Sequence, residues 1–150
     1  MIEPGAEASD FTLRDQDGQK ITLSELRGQT IVLVFYPLDW SPMCTDHFNV
    51  YQEVLSDFRK QGATLYGISV DSAFSHKAFQ QHLGIEIPLL ADFEPKGEVA
   101  RSYGMYIDAR GHNERGFVVI DADGKVKHWH KSPSPLEIPG ANLIFDALAA

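Results

Sequence analysis

Seven consecutive residues, Thr30-Ile31-Val32-Leu33-Val34-Phe35-Tyr36, form a nearly unbroken apolar run that carries no charge and ends at Pro37. Successive side chains of a strand point to opposite faces of its sheet, so a strand apolar at every position must be covered on both sides. That is the situation inside a mostly parallel sheet with helices packed on its faces.

The rest of the chain supplies the covering elements. "ATLYGISVD" (63–71) and "IPLLAD" (87–92) read as two further buried strands. Ser41 suits a helix cap and Pro42 the first helical position, so one helix is predicted from Pro42 to Lys60, stopped by Gly62. Phe48, Tyr51, Leu55 and Phe58 recur along it at helical spacing as one buried stripe. Asp71 or Ser72 caps a helix ending near Gly84, Pro95 to Tyr103 reads as a short helix, and Ala141 to Leu148 as the last. Phe11–Leu13 and Lys20–Leu23 flank a Gln16-Asp17-Gly18 turn as an N-terminal hairpin. Met105–Ile107 reads as a short strand, and "GFVVIDADGKVKHWH" (116–130) as a hairpin turning at Ala122-Asp123-Gly124. Strands alternating with helices, then a hairpin, describe an α/β layered domain with a mixed sheet. Pro133, Pro135 and Pro139 mark a rigid loop before the final helix.

At 150 residues the chain suits one domain, 1–150, with a core of its own. Its formal net charge is −8 and its basic residues are scattered, so the electrostatic footprint of a nucleic-acid binder is missing. No apolar run approaches the roughly 20 residues of a membrane span. Met1-Ile2-Glu3-Pro4-Gly5 lacks the basic-then-apolar plan of a signal peptide. The expectation is a soluble, cytoplasmic protein with no membrane association. Cys44 is the one cysteine, which precludes an internal disulfide and agrees with a reducing compartment.

If Ser41 is the cap, Cys44 occupies the third position of the helix. Backbone N–H groups there lack intrahelical partners and the helix dipole adds partial positive charge, so a thiolate is favoured over a thiol. Ionisation alone is a modest catalyst, because nucleophilicity falls as basicity falls. A fast enzyme also needs groups that orient the electrophile and stabilise charge on the leaving atom. The other reading of a lone cysteine is a small hydrophobe packed beneath the helix.

The surrounding residues bear on that choice. "FYPLDWSPMCTD" (35–46) resembles the active-site segment of the peroxiredoxins, in which a proline, a threonine or serine, and the peroxidatic cysteine keep a fixed spacing; Pro37, Ser41 and Cys44 match it. "PGAEASDFTLRDQDGQKITLSELRG" (4–28) is similar to the family's opening hairpin, "YGISVDS" (66–72) to its next strand, and "PLLADFEPKGEVARSYGMY" (88–106) to the following strand and helix. "ERGFVVIDADGKV" (114–126) is similar to the segment holding the family's active-site arginine, here Arg115. The one-cysteine bacterial branch is the closest likeness.

The resemblance implies a thioredoxin-like fold, a mixed central sheet flanked by helices with an N-terminal β-hairpin, and a thiol-dependent peroxidase working without metal or bound organic cofactor. Cys44 would attack the peroxide as thiolate and become a sulfenic acid. Ser41 would hydrogen-bond the peroxide, Pro37 would shield the sulfur from solvent, and Arg115 would favour the thiolate and help place the substrate. Without the resemblance, Arg115 reads as a solvated charge at a strand start, Pro37 as a strand terminator and Ser41 as a cap alone. A homodimer is also implied, with Trp40 packed in an interface or over the pocket.

Two positions depart from the family's pattern. His47 stands where a glutamate or glutamine commonly helps hold the arginine; a neutral imidazole accepts from a guanidinium and a protonated one repels it, so activity is expected to fall below about 6.5, the ordinary imidazole pKa. There is no resolving cysteine, and Ser75 lies where some relatives carry one, so the sulfenic acid needs an external thiol: a thioredoxin, a glutaredoxin or a small thiol. A thiol-disulfide oxidoreductase would need the C-x-x-C pair, which is absent. A peroxide sensor or redox-regulated binding protein would use the same sulfenic acid without turnover. His76, His82, His112, His128 and His130 form no ligand pattern, though His128 and His130 share a strand face, and Asp121, Asp123 and Gly124 suit a hairpin turn better than a calcium loop.

Overall fold

In the computed structural model, which describes residues 1–150, the apolar run lies near the middle of a seven-stranded sheet. In chain order, β1 (Thr12–Arg14) and β2 (Lys20–Thr22) form the N-terminal hairpin, β3 (Thr30–Phe35) follows, and α1 (Pro42–Glu53) and α2 (Leu55–Lys60) lead into β4 (Ala63–Ser69). Next come α3 (Ala73–Leu83), β5 (Leu89–Ala91), α4 (Glu98–Ser102), and a separate ribbon of β6 (Tyr106–Ile107) and β7 (His112–Asn113). The hairpin of β8 (Gly116–Ile120) and β9 (Val126–Lys131) and the helix α5 (Ala141–Ala149) complete the chain.

The strand order is β2-β1-β5-β4-β3-β8-β9, with β3, β4 and β5 mutually parallel and the remaining pairings antiparallel. This is the mixed α/β sheet expected, and β3 shows why its residues had to be apolar throughout. Val32, Val34 and Tyr36 enter one core with Phe48, Tyr51, Phe58 and Ile144. Ile31, Leu33 and Phe35 enter a second with Phe11, Val99, Ala100 and Tyr103. Each large apolar side chain so buried contributes roughly 1.5–3 kcal/mol, so a polar residue on either face of β3 would be felt. No helix is long and apolar enough to cross a membrane.

Several boundaries differ from the sequence reading. The helix expected over Pro42–Lys60 breaks at Val54, which adopts φ −111° and ψ 14°. Val54 is β-branched, and the break re-aims α2 so that Phe58 stacks on Phe145, with centroids 4.3 Å apart. The helix expected over Pro95–Tyr103 is only Glu98–Ser102, because Gly97 has a left-handed φ of 73° that an α-helix cannot contain. Its cap is remote: the Asp92 carboxylate accepts the N–H groups of Val99 at 3.2 Å and Ala100 at 2.9 Å. Leu23 leaves the hairpin to open a 3-10 turn, Leu23–Leu26. Met105 stays outside the strand at Tyr106–Ile107, which pairs with an unexpected partner, His112–Asn113.

Candidate active site

Two neighbouring strands deliver the site. Antiparallel pairing of Phe35 with Gly116 sets the end of β3 beside the start of β8, so Arg115 arrives next to the loop that follows Tyr36. That loop ends at Ser41, whose hydroxyl accepts the Cys44 N–H at 3.3 Å as the N-cap of α1, with Pro42 as its first residue. Cys44 therefore lies in the first turn, as expected, and its side chain is fully buried.

Arg115 is not a solvated strand-start charge: it is 1% exposed. Its Nη2 donates to Cys44 Sγ at 3.2 Å, its Nη1 to His47 Nδ1 at 2.9 Å and its Nε to the Pro135 carbonyl at 2.7 Å. No carboxylate pairs with it, although a buried charge normally needs one.

His47 is buried, in contact with Phe48 and edge-on to Tyr51 at 4.5 Å, and is no surface histidine. Burial first, and the Arg115 charge second, push its pKa down to about 3. The arginine only donates, so Nδ1 is the bare nitrogen and Nε2 carries the proton, with no partner. The loss of activity expected below about 6.5 thus has no basis in this side chain, which stays neutral to much lower pH. The proline loop also does more than stiffen the chain. It supplies the carbonyl of Pro135 to Arg115, and the carbonyl of Pro139 accepts from the Tyr51 hydroxyl at 2.7 Å.

Over the site lies a cleft of about 250 Å³ lined by Pro37, Leu38, Ser41, Pro42, Met43, Arg110, His112, Arg115, Pro135 and Leu136. Pro37, Ser41 and Arg115, singled out from the sequence, share this one cleft with no acidic residue in its wall. Leu38, Met43, Arg110, His112 and Leu136 were not anticipated; only the proximity of Leu38 and Met43 to Cys44 in the chain hinted at them. Trp40 is not part of the wall, and its indole packs on Phe79 and His82 with centroids 5.3 Å away. Ser75 reaches Asp39, its hydroxyl donating to Oδ2 at 2.9 Å. His128 and His130 do share a strand face, both against the Phe117 ring.

A buried cysteine in contact with a buried arginine is a specific arrangement, and comparison with known proteins gives it a family. The AhpC/TSA family matches residues 4–129. This chain belongs to the AhpC/TSA family. It is 36% identical to alkyl hydroperoxide reductase E of Mycobacterium bovis over 151 residues, an alignment covering 100% of this chain and 98% of that one. It is 40% identical over 131 residues to a peroxiredoxin of Thermoplasma volcanium, covering 83% of this chain and 63% of the relative. The crystal structure of a peroxidoxin, BcpB, from Mycobacterium tuberculosis matches with a TM-score of 0.87 at 29% identity, covering 99% of this chain and 97% of that one. This AhpC/TSA member is accordingly a peroxiredoxin with the thioredoxin-like fold and a single cysteine, and an enzyme of the thiol-dependent peroxidase kind.

Proposed function

We propose that this peroxiredoxin reduces hydrogen peroxide or organic hydroperoxides through Cys44 and is regenerated by an external thiol. The observation that carries the reading is the 3.2 Å contact between Arg115 Nη2 and Cys44 Sγ. Cys44 is the one acid among the partners of that buried guanidinium, so a thiolate there would complete the charge balance of the pocket.

The thiolate attacks the terminal oxygen of the peroxide. An S–O bond forms, the O–O bond breaks, and the departing alkoxide or hydroxide takes up a proton to leave as alcohol or water, with Cys44 now a sulfenic acid. The Ser41 hydroxyl, which accepts from the Cys44 N–H, keeps its own hydrogen free to donate to a peroxide oxygen. Arg115 stabilises charge developing in the transition state, and Pro37 keeps water from the sulfur. One external thiol then displaces water from the sulfenic acid to give a mixed disulfide, and a second releases Cys44. The absence of any second cysteine supports an external donor, be it thioredoxin, glutaredoxin or a small thiol. The apolar wall of Leu38, Met43 and Leu136 supports organic hydroperoxides alongside hydrogen peroxide. We further propose that the chain works as one domain over residues 1–150, in a homodimer, in the cytoplasm.

The test is stopped-flow oxidation of reduced protein by hydrogen peroxide and by an organic hydroperoxide, with Cys44→Ser as control, followed by steady-state turnover with each thiol donor. Oxidation far faster than that of a free thiol, with turnover, is expected. Fast oxidation without turnover on any donor would favour a sensor, and oxidation at free-thiol rates would remove the peroxidase reading.

A further inference from the structure

Five residues before the cysteine, outside the cleft, lies a buried polar cluster that the proposed chemistry leaves unused. Asp39 sits 6% exposed in the loop between β3 and α1. Its carboxylate accepts from the Tyr36 hydroxyl at 2.7 Å and the Ser75 hydroxyl at 2.9 Å, and faces His76 Nδ1 at 2.8 Å. Its backbone N–H donates to Asp71 Oδ2 at 2.8 Å, an oxygen that also accepts from the Ser69 hydroxyl at 2.6 Å. His76, fully buried on α3, has its other ring nitrogen 3.0 Å from the Leu90 carbonyl of β5. A carbonyl only accepts, so Nε2 carries a proton and donates it to Leu90. Burial raises the Tyr36 phenol well above its ordinary pKa, so that side chain remains a donor.

The segment these bonds hold is strained. Trp40, the next residue, has φ 72°, a left-handed conformation that bulky side chains avoid unless their surroundings impose it. Trp40 is half exposed, and its contacts on Phe79 and His82 are with the same helix that carries His76. Directly after it comes Ser41, the cap that receives the Cys44 N–H. A continuous path therefore runs from the β5 carbonyl through His76 and Asp39 to the strained Trp40, the cap and the sulfur.

We infer that Asp39 and His76 are positioning residues for Cys44. Their bond ties the loop to α3 and β5, holds Trp40 in its left-handed turn, and so delivers Ser41 to its capping position and the sulfur to Arg115. Directional polar bonds suit this task because apolar packing alone tolerates sliding that a fixed donor–acceptor line does not. The inference rests on reading Cys44 as the reacting group, but loop placement is measurable without any peroxide.

The test uses Asp39→Asn, His76→Gln and the double variant, each in a Trp129→Phe background so that Trp40 is the one indole. Thiolate absorbance in the far ultraviolet at neutral pH, Trp40 emission and the rate of Cys44 oxidation by hydrogen peroxide are measured on protein shown to unfold cooperatively. The expected result is lower thiolate absorbance, red-shifted Trp40 emission and oxidation slowed about tenfold or more, with the double variant no worse than the worse single one because the pair acts as a unit. Ser75→Ala and Tyr36→Phe, which each remove one hydrogen bond, should move the same readouts in the same direction by about two- to fivefold in rate. Folded Asp39→Asn with wild-type absorbance, emission and rate would overturn the inference. If Asp39→Asn does not fold, unchanged readouts in both Ser75→Ala and Tyr36→Phe overturn it instead. Wild-type oxidation at free-thiol rates would count against the peroxidase reading alone, since absorbance and emission would still report on the loop.

Discussion

Arg115 Nη2 lies 3.2 Å from Cys44 Sγ although 71 positions separate the two residues in the chain. The contact is produced by the register of β3 against β8, and the same guanidinium spans His47 and the Pro135 carbonyl. Replacing Arg115 by Ala should slow Cys44 oxidation by about 10²–10³, the usual effect of removing one preorganised donor from a charge-stabilising site. Arg115→Lys should recover little, because an ammonium cannot meet three acceptors in the plane of a guanidinium. Stopped-flow rates for both variants check this, and near-wild-type oxidation in Arg115→Lys would show that charge alone suffices.

The pH dependence of stability should carry the mark of His47. Its folded pKa of about 3 lies below the roughly 6.5 of an unfolded imidazole, so on acidification the unfolded chain takes up the proton first. This contribution is complete above about 6.5 and is lost progressively as pH falls toward about 3, by an amount on the order of a few kcal/mol. Urea unfolding across that window should decline less steeply in His47→Gln, whose amide oxygen can still accept from Arg115. Identical slopes in the two proteins would contradict the assignment.

Gly67 on β4 has no room for a methyl group. An added Cβ would lie 2.8 Å from both Leu89 Cδ2 and Phe48 Cζ. Gly67→Ala should destabilise the fold by about 1–3 kcal/mol, the range for overpacking a close-packed core. Phe48 contacts both Tyr36 and His47, so the strain reaches the site and oxidation should slow as well. Chemical denaturation and stopped flow on the same sample would show whether the two effects come together.

Tyr51→Phe deletes the hydroxyl bond to the Pro139 carbonyl and leaves the ring against His47. The loss should be about 1 kcal/mol of stability. Because Pro135 is on the same loop and holds Arg115 Nε, a small fall in oxidation rate should accompany it. Amide hydrogen exchange should report faster opening at residues 136–140, and unchanged exchange there would mean the loop is held by other contacts.

The sheet was legible from β3 because a strand apolar at every position allows few architectures, and the position of Cys44 was legible from a local rule, Ser41 before Pro42. Arg115 was found through resemblance, since nothing in its own neighbourhood distinguishes a buried arginine from a solvated one. The His47 contact with Arg115 was likewise raised by the resemblance, whereas the Pro135 carbonyl and the Asp39–His76 pair escaped because each depends on a partner brought from a distant element. Local pattern carries no record of such meetings. The break at Val54 escaped for a related reason: the apolar stripe continues across it, and the rings of Phe58 and Phe145, far apart in the chain, meet beyond it.

The pairing of Phe35 with Gly116 has a consequence for the life of the chain before it is folded. A nascent or partly opened molecule has β3 and the cysteine, but Arg115 is absent from the sulfur until β8 has joined the sheet. Through that interval the sulfur lacks the guanidinium contact that the folded chain gives it. On the proposed chemistry, completion of the tertiary structure is what would arm the sulfur, and the incomplete forms, which an early oxidation could trap, would be the forms that peroxide spares.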